Sequence, residues 1–145
     1  EERCMPGSAG EAGTPADWMT HARSNLARAR APKPAEVLWE DVCYDAEQAA
    51  EKAIKALLLH KGIEFPKTHS IGELLALLGR GGVSIPENIK KADDLTDYAT
   101  AARYPGFPRG ISETDFKDAL ELAEVVVTWV GHQVTAPPAT GTVGE

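Results

Sequence analysis

Hydrophobic residues recur at helical spacing along the middle of the chain. In a segment of roughly residues 34–61 they step by four, three, four, three and four positions. The residues with this spacing are Trp39, Cys43, Ala46, Ala50, Ala53 and Leu57. A second segment, which starts at Ser112, repeats the stepping between Phe116 and Val134. Because this spacing places apolar side chains on one face of a helix, it predicts two long helices that pack at a shallow angle.

Capping and helix-stopping residues mark three helices in the first half of the chain. The first is predicted from Asp17, as its N-cap, to about Ala31. The long second helix has Pro34 in its first turn and ends where Gly62 follows. Ser70 is predicted to cap a short third helix over the segment IGELLALLG. These boundaries leave short connections between the helices.

Two further helices are predicted in the second half of the chain. The fourth runs from Pro86 to Arg103 and Tyr104, because the proline that follows disfavours helical backbone before it. The fifth starts at Ser112, whose spacing from Asp115 is that of a capping box. No segment alternates clearly enough to be a strand. The predicted fold class is therefore all-α, an up-and-down bundle of about five helices.

Length and composition indicate one soluble globular domain. The chain has 145 residues, of which 43% are hydrophobic and 26% are charged. We expect the bundle to span residues 16–134, between flexible tails at 1–15 and 135–145. The best apolar stretch, VVVTWV at 125–130, is far too short for a membrane helix, and no secretory signal is evident. We therefore expect a cytoplasmic protein that does not interact with a membrane.

Charge and motif content argue against several kinds of function. The formal net charge of −7 argues against binding to double-stranded DNA, which needs a basic face, but it is compatible with a small basic cleft. His60 and His69 match no zinc spacing, and no glycine-rich loop follows a strand. We therefore expect neither a metal nor a cofactor. Cys43, inside the second helix, is expected to be a buried free thiol.

Charged residues beside the apolar positions of the second helix have two interpretations. Glu47, Glu51 and Lys55 are spaced by four, and Lys52 lies among them. They could form a solvated row of ion pairs, each contributing roughly a few tenths of a kcal/mol. Alternatively, one of the lysines leans over a cleft and binds an anion.

Two polar segments at helix ends also have both a structural interpretation and a binding interpretation. Thr68, His69 and Ser70 precede the third helix, where a hydroxyl caps free N–H groups and a histidine could bind phosphate or move a proton. Arg103 and Tyr104 end the fourth helix. Arginine there could simply stabilise the helix dipole, or the two side chains could belong to a binding site.

Four ordered segments resemble the HEPN domain family (higher eukaryotes and prokaryotes nucleotide-binding). They are DWMTHARSNLARAR, YDAEQAAEKAIKALLLHKGIEFPKTHSIGELL, LTDYATAARYPG and DALELAEVVVTWV, and together they span about residues 17–134. The resemblance implies a bundle of about five helices that is commonly a homodimer. It also implies a prokaryotic protein whose partner is a separately encoded minimal nucleotidyltransferase, often in a toxin–antitoxin pair.

The sequence departs from the motif of the ribonucleases in this superfamily. Those members pair an arginine with a histidine about four to six residues later, which allows RNA cleavage without a metal. After Arg103 comes YPGFPRGI, which contains no histidine. The absent motif argues against an enzyme, and the RYPG segment instead resembles the branch associated with nucleotide binding.

The resemblance places the binding residues on both halves of the chain. They are Lys55, His69, Arg103 and Tyr104, with Lys52 and Asp97 as further members. Arginine can grip a phosphate, tyrosine can stack on a base, and lysine adds a positive charge. The hypothesis is a non-catalytic homodimer that binds a nucleotide or an RNA phosphate. The alternatives are a ribonuclease toxin in which His69 approaches Arg103 in space, and a pure protein-interaction module.

Overall fold

The computed structural model describes residues 13–98 and 110–135, which form a helical bundle. The α-helices with both ends in these ranges are α1 (Pro15–Arg30), α2 (Trp39–His60), α3 (Ile71–Arg80), α4 (Glu87–Lys90) and α5 (Glu113–Thr135). A 3₁₀ helix (Lys91–Leu95) follows α4, and residues 96–98 are again helical. Within the described ranges there is no β-strand, and the all-α prediction is confirmed. None of the helices described is long and apolar enough to span a membrane.

The central element of the bundle is α2, which packs between α1 and α5. Side chains of α1 and α2 meet in antiparallel order, since Asn25 contacts Asp45 while Trp18 lies near Lys55. Fifteen of the 22 residues of α2 are buried, many of them alanines that let neighbouring helices approach closely. A helix buried on most of its circumference must also bury its polar side chains. This explains the position of the candidate site.

The first two predicted helix starts are wrong. Thr14, not Asp17, caps α1: its hydroxyl accepts a hydrogen bond from the Asp17 N–H, and the Asp17 carboxylate accepts one from the Thr14 N–H, each 3.0 Å long. These hydrogen bonds lower the pKa of Asp17. Likewise, α2 begins at Trp39 rather than Pro34, because the chain first makes a turn closed by the hydrogen bond from Val37 N to Pro34 O.

Other predicted boundaries are confirmed by their geometry. Gly62 follows α2 with φ of +72°, a backbone conformation that glycine adopts without strain. Ser70 Oγ accepts a hydrogen bond from Glu73 N at 3.2 Å and caps α3. Ser112 and Asp115 form the predicted capping box of α5. Cys43 is a buried free thiol, and burial raises its pKa to about 12.

The predicted fourth helix is not one continuous α-helix. Between Lys91 and Leu95 it narrows to a 3₁₀ helix, and side chains of this helix and of the residue after it cap α3. The Gly72 N–H donates to Asp93 Oδ1 at 3.0 Å, and the Ile71 N–H donates to Thr96 Oγ1 at 3.2 Å. This segment is therefore fixed against the N-terminus of α3, next to the loop that carries His69. The predicted end of the helix, at Arg103 and Tyr104, lies outside the described residues.

Candidate functional site

Three charged side chains of α2 point into the bundle rather than into solvent. Glu47, Glu51 and Lys55 lie one turn apart on the same face of the helix. Their relative exposures are 0%, 2% and 6%. The solvated row of ion pairs offered as one interpretation is therefore wrong, because α2 lies at the centre of the bundle. Charged groups this deeply buried need partners inside the protein.

Lys55 finds its partner in Glu51. The distance from Lys55 Nζ to Glu51 Oε2 is 2.8 Å, and both side chains are almost fully buried. The same ammonium lies 5.8 Å from the ring centroids of Trp18 and Phe65, at the outer limit of cation–π contact. Lys55 is therefore a buried cation whose charge is balanced by the carboxylate of Glu51.

His69 connects this buried pair to solvent. Its Nδ1 lies 3.1 Å from Glu51 Oε2, while 58% of its side chain is exposed. Because an ionised carboxylate only accepts hydrogen bonds, we assign the shared proton to Nδ1. The loop is held in place by Thr68, whose hydroxyl donates to Glu73 Oε1 and accepts from Ser70 N. Glu51 thus orients an imidazole whose other nitrogen is available to a ligand or a proton.

Glu47 is the fully buried member of the group. Its Oε1 accepts a hydrogen bond from Gln48 Nε2 at 2.9 Å, and the same amide donates to Glu51 Oε1 at 3.2 Å. Its Oε2 is buried without a hydrogen-bond partner among the described residues. Burial, and then repulsion by Glu51, raise the pKa of Glu47 to about 8. Glu47 is therefore mainly protonated at neutral pH.

The remaining predicted site residues do not all meet at this group. Lys52 Nζ instead donates to Asn25 Oδ1 at 2.8 Å, in a separate network between α1 and α2 that includes Asp45. Asp97 is exposed and directly follows Thr96, the residue that caps Ile71 N. Arg103 and Tyr104 lie outside the described residues. The structure therefore brings Lys55 and His69 together through Glu51, and it places Lys52 elsewhere.

Two carboxylates and an amide of this group were missed as site residues from sequence. Glu47 and Glu51 were noted only for their spacing from Lys55, and Gln48 was not considered. The available signal was the run of alanines at positions 46, 49, 50, 53 and 56, which surround the helix rather than following one face. Such a pattern indicates a helix buried on all sides, in which charged residues must pair with each other.

A second basic group lies in the cleft between α1 and α5. Arg23, Arg30 and His132 line this cleft, whose volume is about 440 Å³. Arg30 is already engaged, since its Nε donates to Glu124 Oε2 at 2.7 Å. This cleft is a competing location for an anion on the described surface. Within the described residues, no cluster of three or more histidine, cysteine or acidic side chains could hold a metal ion.

The fold and the buried charged group define a small all-α bundle protein whose His69 is oriented at the surface by Glu51. The chain belongs to the HEPN domain family, whose model matches residues 15–133. It is also similar to an archaeal HEPN homologue of known crystal structure, with a TM-score of 0.67 and 31% sequence identity. That alignment covers 84% of this chain and 98% of the archaeal one. No curated protein matches the chain. The resemblance inferred from the four sequence segments is confirmed.

Proposed function

We propose that this HEPN protein binds the phosphate of a nucleotide or an RNA without cleaving it, at a site formed by His69, Arg103 and Tyr104. The observation that carries the proposal is the contact between His69 and the buried Glu51–Lys55 pair. The contact fixes the imidazole while leaving most of the ring exposed. A histidine held in one orientation loses less conformational entropy when it binds a ligand.

The described chain passes close to the His69 loop shortly before Arg103 in the sequence. Thr96 hydrogen-bonds to Ile71, two residues after His69, and Tyr98 is the last described residue before the gap. Arg103 is five positions after Tyr98, so at most about 18 Å of extended chain separates their Cα atoms. The proposal therefore assigns Arg103 to the same anion as His69, where its guanidinium would bind phosphate and Tyr104 would stack on a base.

In this proposal Lys55 acts indirectly. Its ammonium is buried and already paired with Glu51, which leaves it little access to a ligand. It compensates the carboxylate that orients His69, so the imidazole does not face an unbalanced negative charge. The direct contacts are assigned to His69, Arg103 and Tyr104. Lys52 and Asp97 are not needed for this arrangement.

The proposal includes two protein partners. We propose that the protein is a homodimer and works with a separately encoded minimal nucleotidyltransferase, as one member of a toxin–antitoxin-type pair. The support is membership of the HEPN family together with the RYPG segment. Sedimentation equilibrium tests the dimer, which should have twice the mass of the chain. Gel filtration after co-expression with the nucleotidyltransferase should give a single complex, and separate elution would contradict the pairing.

Calorimetric titration tests the binding site. Purified protein is titrated with ATP, with the other nucleoside triphosphates and with a short RNA. We expect saturable binding of at least one ligand, weakened about tenfold or more by His69→Ala and by Arg103→Ala, as expected when a charged hydrogen bond is lost. Arg23→Ala is the matched control, because it removes a cation from the competing cleft. Loss of binding in that variant alone would move the site there, and no binding at all would favour a pure interaction module.

A ribonuclease remains a second candidate because of one specific observation. The Glu51–His69 contact is the carboxylate–imidazole pairing that often orients a general base. In this alternative Arg103 would lie beside His69, which would take the proton of a 2′-hydroxyl while the arginine stabilises charge on the phosphate. Total RNA incubated with the protein in a chelator tests this. Cleavage lost in both His69→Ala and Arg103→Ala would favour the enzyme, and unchanged RNA would exclude it.

A further inference from the structure

The buried carboxyl of Glu47 takes no part in the contacts described so far between His69 and its partners. Its side chain is fully buried, and its Oε2 has no hydrogen-bond partner in the described part of the chain. A buried polar atom without a partner destabilises a fold, so its presence in the middle of the central helix needs an explanation. Its position beside Glu51 provides one.

We propose that Glu47 is a proton-controlled regulator of phosphate binding at His69: phosphate binds while Glu47 holds its proton, and loss of that proton weakens binding. This inference rests on the proposed phosphate-binding function of His69. It adds to that function the prediction that the affinity depends on a carboxyl which the ligand does not touch.

The geometry couples Glu47 to the site through one amide group. Gln48 Nε2 donates both of its hydrogens, one to Glu47 Oε1 and one to Glu51 Oε1. Glu51 in turn meets His69 Nδ1 through its Oε2. Three short contacts therefore connect the Glu47 carboxyl to the imidazole that faces the ligand.

The charged groups around Glu47 do not balance the negative charge that it would carry after losing its proton. On α2 itself these groups are Glu51, which is negative, and Lys55, which is positive and already paired with Glu51. From the loop before α3, His69 reaches Glu51 rather than Glu47. From α1, the uncharged ring of Trp18 lies 5.8 Å from Lys55 Nζ. Among the described residues, only Glu51 and Lys55 act as charges on the Glu47 carboxyl.

Ionisation of Glu47 would therefore give the group two carboxylates and one ammonium. The extra negative charge lies in a region of low dielectric constant, where its field extends to the surface around His69. A phosphate bound there would be repelled. At an effective dielectric constant of about 20 and a separation of roughly 10 Å, this corresponds to about a tenfold weaker affinity.

The test compares the wild-type protein with Glu47→Gln, in which an amide replaces the protonated acid. ATP affinity is measured calorimetrically for both proteins from pH 6.5 to 9.5. Because both are measured at the same pH, the ionisation of ATP itself affects them alike. We expect equal dissociation constants near pH 6.5, and about three- to tenfold weaker binding by the wild type at pH 9.5. Glu64→Gln, which removes an exposed carboxylate from the loop before α3, is the control for net charge.

The outcomes separate this inference from the proposed function. If ATP binds and the affinities of wild type and Glu47→Gln stay equal at every pH, the regulation is wrong while phosphate binding stands. If Glu64→Gln removes the pH dependence equally well, the effect is one of net charge and the inference is also wrong. If neither protein binds ATP or RNA at any pH, both proposals fail. The pH dependence of unfolding, measured on the same two proteins, shows independently whether Glu47 is protonated.

Discussion

At the scale of single residues, the central feature is the cation of Lys55. It is enclosed in the core of the bundle together with the polar side chains of Glu47, Gln48 and Glu51. Lys55 is 6% exposed and Glu51 is 2% exposed, and they form an ion pair of 2.8 Å. Pairs of this kind contribute little net stability, because both charges lose their hydration. Removing one partner is strongly destabilising, since the other charge then stays buried alone.

Replacement of Lys55 should therefore destabilise the protein strongly. We expect Lys55→Met to lower the free energy of unfolding by about 3 kcal/mol or more, because it leaves Glu51 uncompensated. The matched control is Lys52→Met on the same helix, which removes one hydrogen bond to the amide of Asn25 and should cost about 1 kcal/mol. Urea unfolding measures both values. Equal effects of the two substitutions would show that the Lys55 charge is not enclosed as described.

Glu47 should give the stability of the fold a characteristic pH dependence. Its ordinary pKa of 4.5 is raised to about 8 in the folded protein. Between these values the folded state keeps a proton that the unfolded state releases, so the free energy of unfolding falls as pH rises from 4.5 to 8 and then levels. Glu47→Gln should remove this decline. Chemical unfolding at a series of pH values measures it, and parallel curves for the two proteins would contradict a protonated Glu47.

At the scale of helices and loops, two glycines differ in backbone conformation although both have open space around them. Gly62 has φ of +72° after α2, whereas Gly79 lies within α3, and a Cβ at either position would meet no atom within 4 Å. We expect Gly62→Ala to destabilise the protein by about 1 kcal/mol through backbone strain. Gly79→Ala should stabilise it by about 0.5–1 kcal/mol, because alanine favours helix.

Thermal or urea unfolding of the two glycine variants tests the end of α2 directly. The substitutions add the same methyl group in open space, so differences in packing do not contribute. Opposite signs are the expected result. If Gly62→Ala were as stable as the wild type, the left-handed backbone that ends α2 and leads into the His69 loop would be wrong.

Helices with strong local signals could be predicted from sequence, and those defined by distant contacts could not. The apolar spacing identified α2 and α5, and the caps Ser70 and Ser112 identified the starts of α3 and α5. The 3₁₀ segment was missed because its cause is tertiary: Asp93 and Thr96 turn towards the free N–H groups of α3. Gly72 permits this approach, since a Cβ there would lie 2.6 Å from Asp93 Oδ1.

At the scale of the whole molecule, the position of α2 decides the character of the site. The sequence allowed either solvated charges or a lysine near a cleft, because helical spacing defines a face but not what covers it. Only the packing of α1 and α5 against α2 shows that Glu47, Glu51 and Lys55 face inward. His69 was a candidate from its place before a helix, whereas its link to Glu51 depends on two elements 18 residues apart in the chain.

The central claim is that the imidazole oriented by Glu51 contacts a phosphate at the surface of this HEPN protein. The most direct test is an NMR titration with ATP at constant pH that follows the ring resonances of the histidines. His132, in the cleft between α1 and α5, is an internal control within the same molecule. We predict that the His69 resonances shift saturably while those of His132 stay fixed, and that Arg103→Ala weakens the effect. Saturable shifts of His132 alone, or no shift of either ring, would contradict the account.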